Sequence, residues 1–84
     1  MEEEISVQID CTQGEYNDEK YIENNNCYLA EALKNAGYKD IFVSSYGSTR
    51  IGAIDYEPIG EFDCEVVEKA FEEKSILNVV LKRV

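Results

Sequence analysis

Hydrophobic and polar residues follow a period of two at the start of this chain and a helical period further on. Residues 4–11 alternate strictly, which predicts a first β-strand with one apolar face formed by Ile5, Val7, Ile9 and Cys11. Between Tyr21 and Ala36 the apolar residues recur every three or four positions, and this spacing predicts a helix that ends at Gly37. Three asparagines at positions 24–26 interrupt the pattern and leave two alternatives, one helix with a weak middle or two shorter helices.

The second half of the chain continues with a hairpin, a helix and a last strand. Residues 39–46 and 50–56 are rich in β-forming residues, and Gly47-Ser48 between them predicts the hairpin turn. Asp63 occupies the position of a helix N-cap, and residues 75–82 alternate as a final strand. The order β-α-β-β-α-β is typical of the ferredoxin-like fold. We therefore predict one α+β domain over residues 1–84, with a four-stranded antiparallel sheet and two helices on one face.

Strand alternation in such a sheet also predicts which side chains the helices leave uncovered. If Ile41, Val43, Ile51 and the alternate apolar residues of the last strand face the helices, an apolar set turns to the open face of the sheet: Phe42, Tyr46, Ile54, Tyr56, Ile76 and Val80. A cluster of this size predicts a contact face, most simply a homodimer formed through the two sheets. The alternative is a different register, because a slip of one residue exchanges the two faces of a strand.

The charge of the chain restricts its partners. The sequence has 18 acidic and 8 basic residues, a net charge of −10. Nine acids and one base lie in residues 1–31, and eight acids and one base lie in residues 55–73. Such a domain repels nucleic acid and anionic membranes and attracts basic protein surfaces. No apolar run approaches the ~20 residues that span a bilayer, so we expect a basic protein as partner, with no membrane and no direct nucleic acid.

The N-terminal residues and the cysteines both indicate where the protein is located. The acidic start, Met1 to Glu4, is the opposite of a basic secretory n-region. Cys11, Cys27 and Cys64 are isolated and odd in number, which is typical of reduced thiols. We therefore expect the cytoplasm, either of a cell or of an infected host.

Few residues of this chain are suited to catalysis or metal binding. Histidine is absent, which removes the commonest acid–base group and the usual nucleophile triads. Carboxylates crowd residues 55–63, but the spacing of a calcium loop is missing and Pro58 interrupts the run. Gly47-Ser48-Thr49-Arg50 lacks the glycine spacing of a phosphate loop. We expect no enzyme, no catalytic residue, no metal and no cofactor.

The first hypothesis on function assigns a use to the acidic residues. Carboxylates along exposed helices and loops imitate a row of phosphates and occupy the Lys/Arg track of a nucleic-acid-binding protein. Small acidic phage-encoded inhibitors of host defence nucleases, including some anti-CRISPR and anti-restriction proteins, resemble this chain in size and charge. The resemblance is one of composition and implies a nucleic-acid-mimicking inhibitor. The partner-binding side chains predicted on this hypothesis are Glu15, Asp18, Glu19, Glu23, Glu61, Glu65, Glu68 and Glu72.

The second hypothesis assigns function to the open sheet face instead. Under it the chain is a dimeric ferredoxin-like regulatory domain or a small-ligand-sensing domain. This hypothesis depends on the fold prediction and on the apolar set that includes Phe42 and Tyr56.

Overall fold

The computed structural model describes residues 3–84. Its elements are β1 (Glu4–Asp10), α1 (Asp18–Tyr21), α2 (Tyr28–Asn35), β2 (Ile41–Val43), β3 (Thr49–Ile51), β4 (Ile54–Pro58), α3 (Cys64–Glu72) and β5 (Ile76–Arg83). The strands form one five-stranded sheet in the order β1-β5-β4-β3-β2, and every neighbouring pair is antiparallel. The sheet curls into a half-barrel that carries the three short helices.

The prediction of a ferredoxin-like fold with four strands and two helices is wrong. The predicted single strand over residues 50–56 is two strands, β3 and β4, joined by a turn at Gly52 and Ala53. Gly52 has a φ of 61° while Ala53 keeps a negative φ, the combination of a type II′ hairpin turn. The extra reversal makes the strand before α3 antiparallel to the last strand. Among the described strands β5 therefore pairs directly with β4 as well as with β1, whereas the predicted fold requires a parallel crossover between its last two strands.

The same turn exchanges the faces predicted for β4. Residues directly opposite each other in an antiparallel pair turn to the same face of the sheet. Thr49 lies opposite Tyr56 and is buried, so Tyr56 also points inward and is only 5% exposed. Ile54 lies opposite Ile51 on the same inner face and is half-buried. The prediction that Ile54 and Tyr56 lie on an open face is wrong because it assumed an unbroken strand.

The predicted alternation of the first and last strands is confirmed. The inward residues of β1 are buried, and they lie opposite Leu77, Val79 and Leu81 of β5. Their partners on the outer face are polar or exposed, as with Gln8 and Asn78, whose side chains hydrogen-bond at 3.0 Å. One face of this pair therefore forms the floor of the core.

Helix α2 fills the concave side of the curled sheet. It contacts β1 and β2, which are the two edge strands, so the sheet wraps around it. Leu29 and Leu33 point into the core and are almost completely buried. The remaining apolar core comes from all parts of the chain and includes Ile5, Val43, Tyr56, Phe62, Val67, Phe71 and Leu81.

Of the two alternatives for residues 17–36, the structure has two separate helices. Asn17 caps α1 and accepts hydrogen bonds from the N–H groups of Glu19 and Lys20 at 2.9 and 3.2 Å. Cys27 caps α2, and its Sγ accepts from the N–H of Ala30 at 3.4 Å. The asparagines lie in the turn between the helices, where Asn24 accepts from the N–H of Val43 at 2.7 Å. The asparagines thus favour the turn, as their poor helix propensity predicts.

The predicted N-cap of α3 is confirmed. The Asp63 carboxylate accepts a hydrogen bond from the N–H of Val66 at 3.0 Å. Phe62 before the cap and Val67 after it are both buried, in the positions of a hydrophobic staple. This cap fixes where the acidic helix α3 begins on the surface.

Candidate functional site

A cluster of aromatic rings joins α1, α2 and α3. The ring of Tyr16 lies 6.2 Å from that of Tyr21, 6.0 Å from that of Tyr28 and 6.5 Å from that of Phe71. Tyr28 and Phe71 are closer still, at 5.1 Å, and Phe62 stacks on Tyr21 at 6.3 Å. These distances are within the range of favourable ring contacts. The cluster, defined by these five residues, therefore holds the three helices in fixed positions relative to one another.

Hydrogen bonds orient two of the rings. The Tyr28 hydroxyl accepts from the N–H of Asn17 at 2.8 Å, and the Tyr21 hydroxyl donates to the carbonyl of Ser45 in the β2–β3 turn. The Lys20 ammonium lies 4.6 Å from the centre of the Tyr28 ring and 2.6 Å from a carboxylate oxygen of Glu31. Lys20, one of the few bases in this half of the chain, is thus already paired.

Tyr16 lines two surface hollows. The first, the Tyr46 hollow, lies where α1 meets the β2–β3 turn and the start of α3. It is lined by Tyr16, Asp18, Tyr21, Ile22, Ser45, Tyr46, Asp63 and Cys64. Ile22 is 67% exposed and Tyr46 is 75% exposed, so two large apolar side chains stand in solvent at its rim.

The second, the Glu68 hollow, lies on the other side of Tyr16. It is lined by Gly14, Glu15, Tyr16, Glu68, Phe71, Glu72 and Lys74. Here carboxylates from the loop after β1 and from α3 meet over the aromatic cluster. The structure therefore brings together four of the predicted partner-binding residues: Glu15, Asp18, Glu68 and Glu72.

The other predicted acidic residues are exposed but line neither hollow. They are Glu19, Glu23, Glu61 and Glu65. Glu65, Glu68 and Glu72 follow one another at spacings of three and four along α3, which places them on one side of that helix. The two segments 15–23 and 61–74, which we call the acidic face, contain ten acids and three bases. The acidic face thus carries most of the net charge of the chain.

Sequence reasoning missed the apolar part of this region. Ile22 was not singled out, although a large apolar residue directly after a short helix is a usable signal. Tyr46 was assigned to the open sheet face, but it lies in the β2–β3 turn beside the acidic face. Tyr16 was also missed, because one aromatic residue in a loop has no periodic pattern around it.

Of the predicted contact face, the large side chains that stay exposed on the sheet are Phe42 and Ile76, on the separate strands β2 and β5. Phe42 is 54% exposed on the outer face, as predicted. Its neighbours there are polar, because Arg50 lies opposite Phe42 and pairs with Asp55 at 3.0 Å. With Ile54 and Tyr56 turned inward and Tyr46 in a turn, the apolar set that predicted a dimer does not form one surface.

Burial and hydrogen bonding set the protonation of several groups. Burial raises the pKa of the Tyr16 and Tyr21 phenols well above the usual range, so both stay protonated at neutral pH. The Asp18 carboxylate beside the buried Tyr16 hydroxyl raises the pKa of Tyr16 further. Hydrogen bonds from Thr12 lower the pKa of Asp10. The acidic face therefore places carboxylates beside neutral phenols, a surface suited to binding cations.

Three further features bear on the chemistry of the described residues. Within residues 3–84, no three Cys, Asp or Glu side chains are placed together to hold a metal ion. Cys11 and Cys27 are buried and Cys64 is exposed, and none of the three forms a disulfide. The helices in this part of the chain are all too short or too polar to cross a membrane.

Comparison of the chain with protein-family models, with curated proteins and with solved structures gives no match. The charge, the hollows and the strand edges of the molecule itself are therefore the basis for a functional proposal.

Proposed function

We propose that this chain is a small acidic protein-binding module that inhibits a basic nucleic-acid-binding protein by occupying its nucleic-acid site. The observation that carries the proposal is the acidic face, with its ten acids and three bases arranged over one aromatic cluster. The proposed role is binding without catalysis. The proposed setting is the cytoplasm of a cell or of an infected host, as for phage inhibitors of anti-CRISPR or anti-restriction type.

The charge supports this role because it exceeds what solubility needs. A net charge of magnitude about 2–8 keeps a small domain soluble, and this chain carries −10. Mutual repulsion of so many carboxylates destabilises a compact state, so the excess has a cost in stability. Placed against a track of Lys and Arg, the same carboxylates steer association and replace the phosphates.

The rim of the Tyr46 hollow supports a protein partner rather than a simple cation. Interfaces draw most of their binding energy from a few large side chains, among which Tyr is enriched. Tyr46 and Ile22 are exposed in the same hollow as Asp18 and Asp63, so an apolar anchor lies next to two carboxylates. An Arg or Lys side chain fits such a site, because its aliphatic stem packs on the apolar atoms while its charge meets the carboxylates.

The test is affinity capture with a matched pair of charge variants. One variant neutralises the acidic face on α3 through Glu65→Gln, Glu68→Gln and Glu72→Gln. The control neutralises three exposed acids elsewhere through Glu3→Gln, Asp40→Asn and Glu57→Gln. Asn suits position 40, where φ is 56°. Proteins retained from lysate are identified by mass spectrometry with and without added DNA or RNA, at low and at high salt.

The proposal predicts a captured protein that nucleic acid and salt both release. It also predicts that the α3 variant loses this protein while the control retains it. Equal loss with both variants would show that only bulk charge matters. If added DNA or RNA does not reduce the amount of captured protein, mimicry of nucleic acid by this chain is excluded.

A further inference from the structure

Strand β1 is an edge of the sheet whose outer backbone groups are unpaired. Along each strand of an antiparallel pair, every second residue exchanges backbone hydrogen bonds with the residue opposite it. The residues in between direct their backbone N–H and C=O groups to the other side of the strand. The N–H of Cys11 donates to Ser75 at 3.1 Å and Glu3 accepts from Arg83 at 2.8 Å, so the odd-numbered residues of β1 bond to β5. The backbones of Glu4, Ser6, Gln8 and Asp10 therefore point away from the sheet. Within residues 3–84, no other element hydrogen-bonds to them.

A groove runs beside this edge. Two neighbouring hollows lie between β1 and α2, and both are lined by Gln8, Ala32 and Asn35. Ser6 and Ala36 line the hollow toward one end. At the end of the groove near Ser6, Ala32 of α2 and Ala36 just after it have small side chains, which leave room for another chain beside β1. By contrast, the opposite edge at β2 is partly closed, because the N–H of Val43 donates to Asn24.

We propose that this groove binds an extended segment of a basic partner protein as a sixth strand next to β1. Backbone bonds to Ser6 and Gln8 supply affinity, as in other cases of strand addition to a sheet edge. Side chains of the added strand alternate between the outer face and the small residues of α2.

Charge decides which segment fits. Glu4 and Asp10 are exposed on the outer face, six positions or about 20 Å apart on the edge strand, and Asp10 keeps its charge there while one of its oxygens accepts from Thr12. Residues directly opposite them on an added strand share that face, and opposite charges there are stabilising. The favoured segment therefore has Lys or Arg at two positions six residues apart, in either strand direction.

A second copy of this chain is a poor occupant for the same reason. Two β1 strands could pair in the antiparallel sense with Val7 at the centre, so that all four outward residues of each copy form backbone hydrogen bonds. This register places Glu4 of one copy opposite Asp10 of the other. Like charges directly opposite are destabilising. Each copy also carries −10 overall. A basic segment meets neither obstacle.

The test uses a synthetic peptide of about nine residues, the upper range of natural strand lengths. Val and Thr alternate in it, and two Lys residues replace Thr six positions apart. The control peptide has the same composition with its Lys residues five positions apart, so that one of them turns to the inner face. Amide hydrogen exchange of the chain is followed by NMR with each peptide.

In the free chain, the amides of Ser6 and Gln8 should exchange faster than those of Val7 and Ile9. At a peptide concentration of ten times Kd, Ser6 and Gln8 should slow about tenfold, because only unbound chains exchange. The control peptide should bind about twofold or more weakly, the loss of one charge pair. The variant Glu4→Lys should weaken the two-Lys peptide, and replacing one Lys by Glu should restore binding and reveal the strand direction.

The variant Ser6→Pro tests the edge directly. It removes one outward N–H without removing a bond to β5, since proline is tolerated on the open side of an edge strand. A folded Ser6→Pro chain that binds the peptide with unchanged Kd would overturn the proposal. If this variant does not fold, the amide exchange of Ser6 and Gln8 in the unmodified chain tests the proposal, and exchange that the peptide does not slow would overturn it.

Two other outcomes would also overturn it. One is exchange at Ser6 and Gln8 that is slow without peptide and depends on chain concentration, since a second copy would then cover the edge. The other is a peptide that slows amide exchange in the acidic face and leaves the exchange of Ser6 and Gln8 unchanged. The neutralised α3 variant should bind the peptide unchanged, so failure here and failure of nucleic-acid mimicry are separate results.

Discussion

Gly47 is the position where the turn, the core and the aromatic cluster meet. It is buried in the β2–β3 turn with a φ of 87°, a conformation that side chains rarely adopt. A Cβ at this position would lie 2.9 Å from the ring of Phe62 and 3.0 Å from the ring of Pro58. Phe62 has little freedom to move, because it is buried and stacks on Tyr21. The substitution Gly47→Ala therefore combines backbone strain with a steric clash.

Gly52 provides a matched control. Its φ of 61° is also left-handed, but a Cβ there meets no atom within 4 Å. Left-handed backbone costs an L-residue about 1–2 kcal/mol, so Gly52→Ala should lose about that much stability. Gly47→Ala adds overpacking of about 1–3 kcal/mol. It should therefore be clearly the less stable of the two, and each kcal/mol shifts Tm by roughly 4–8 °C in a domain of this size.

The assay is urea unfolding followed by far-UV circular dichroism and tyrosine fluorescence, since the chain has six Tyr and no Trp. Both variants are compared with the unmodified chain. Equal destabilisation at the two positions would refute the reasoning, because it would mean that Phe62 and Pro58 yield without cost. The packing of the β2–β3 turn against the start of α3 would then be looser than described.

Three further predictions concern the cap, the core and a surface pair. Asp63→Ala removes the N-cap of α3 and should cost about 0.5–2 kcal/mol in chemical unfolding; no loss would mean that the cap is not formed in solution. Leu33→Ala opens a cavity under the sheet at a fully buried position and should cost about 2–5 kcal/mol; a loss below that of the cap variant would contradict the described core. The hydrogen bond from Arg50 lowers the pKa of Asp55, so its stabilising effect is present above the unfolded-state pKa and is lost as pH falls through the folded-state pKa. In an NMR titration Arg50→Gln should return the pKa of Asp55 toward its ordinary value, and an unchanged pKa would show that the pair does not form.

Local patterns in the sequence predicted individual elements well. The alternation of β1 and β5 and the cap at Asp63 depend on a residue and its near neighbours, and these predictions are confirmed. For residues 17–36 the sequence left one helix or two as alternatives. Two helices form because the asparagine side chains compete locally with the helix for backbone hydrogen bonds. The exposure of the eight acidic residues is likewise a local property, since buried ions cost too much free energy.

The errors began at one glycine. Gly52 was included in a strand, although Gly-Ala between two apolar residues fits a type II′ turn. One additional reversal changed the strand count and moved Ile54 and Tyr56 to the core. A local error of this kind becomes global because strand direction and side-chain parity propagate along the chain.

The sequence by itself determined the apolar faces of β1 and β5, the start of α3 and the excess of negative charge, because these follow from local spacing and composition. Only the tertiary structure decided that segment 15–23 meets α3 around Tyr16, that Tyr46 joins this face, and that β1 is an edge beside a groove. These features depend on which strands pair, and pairing is chosen by the burial of the whole core around α2. No single segment of the chain contains that information.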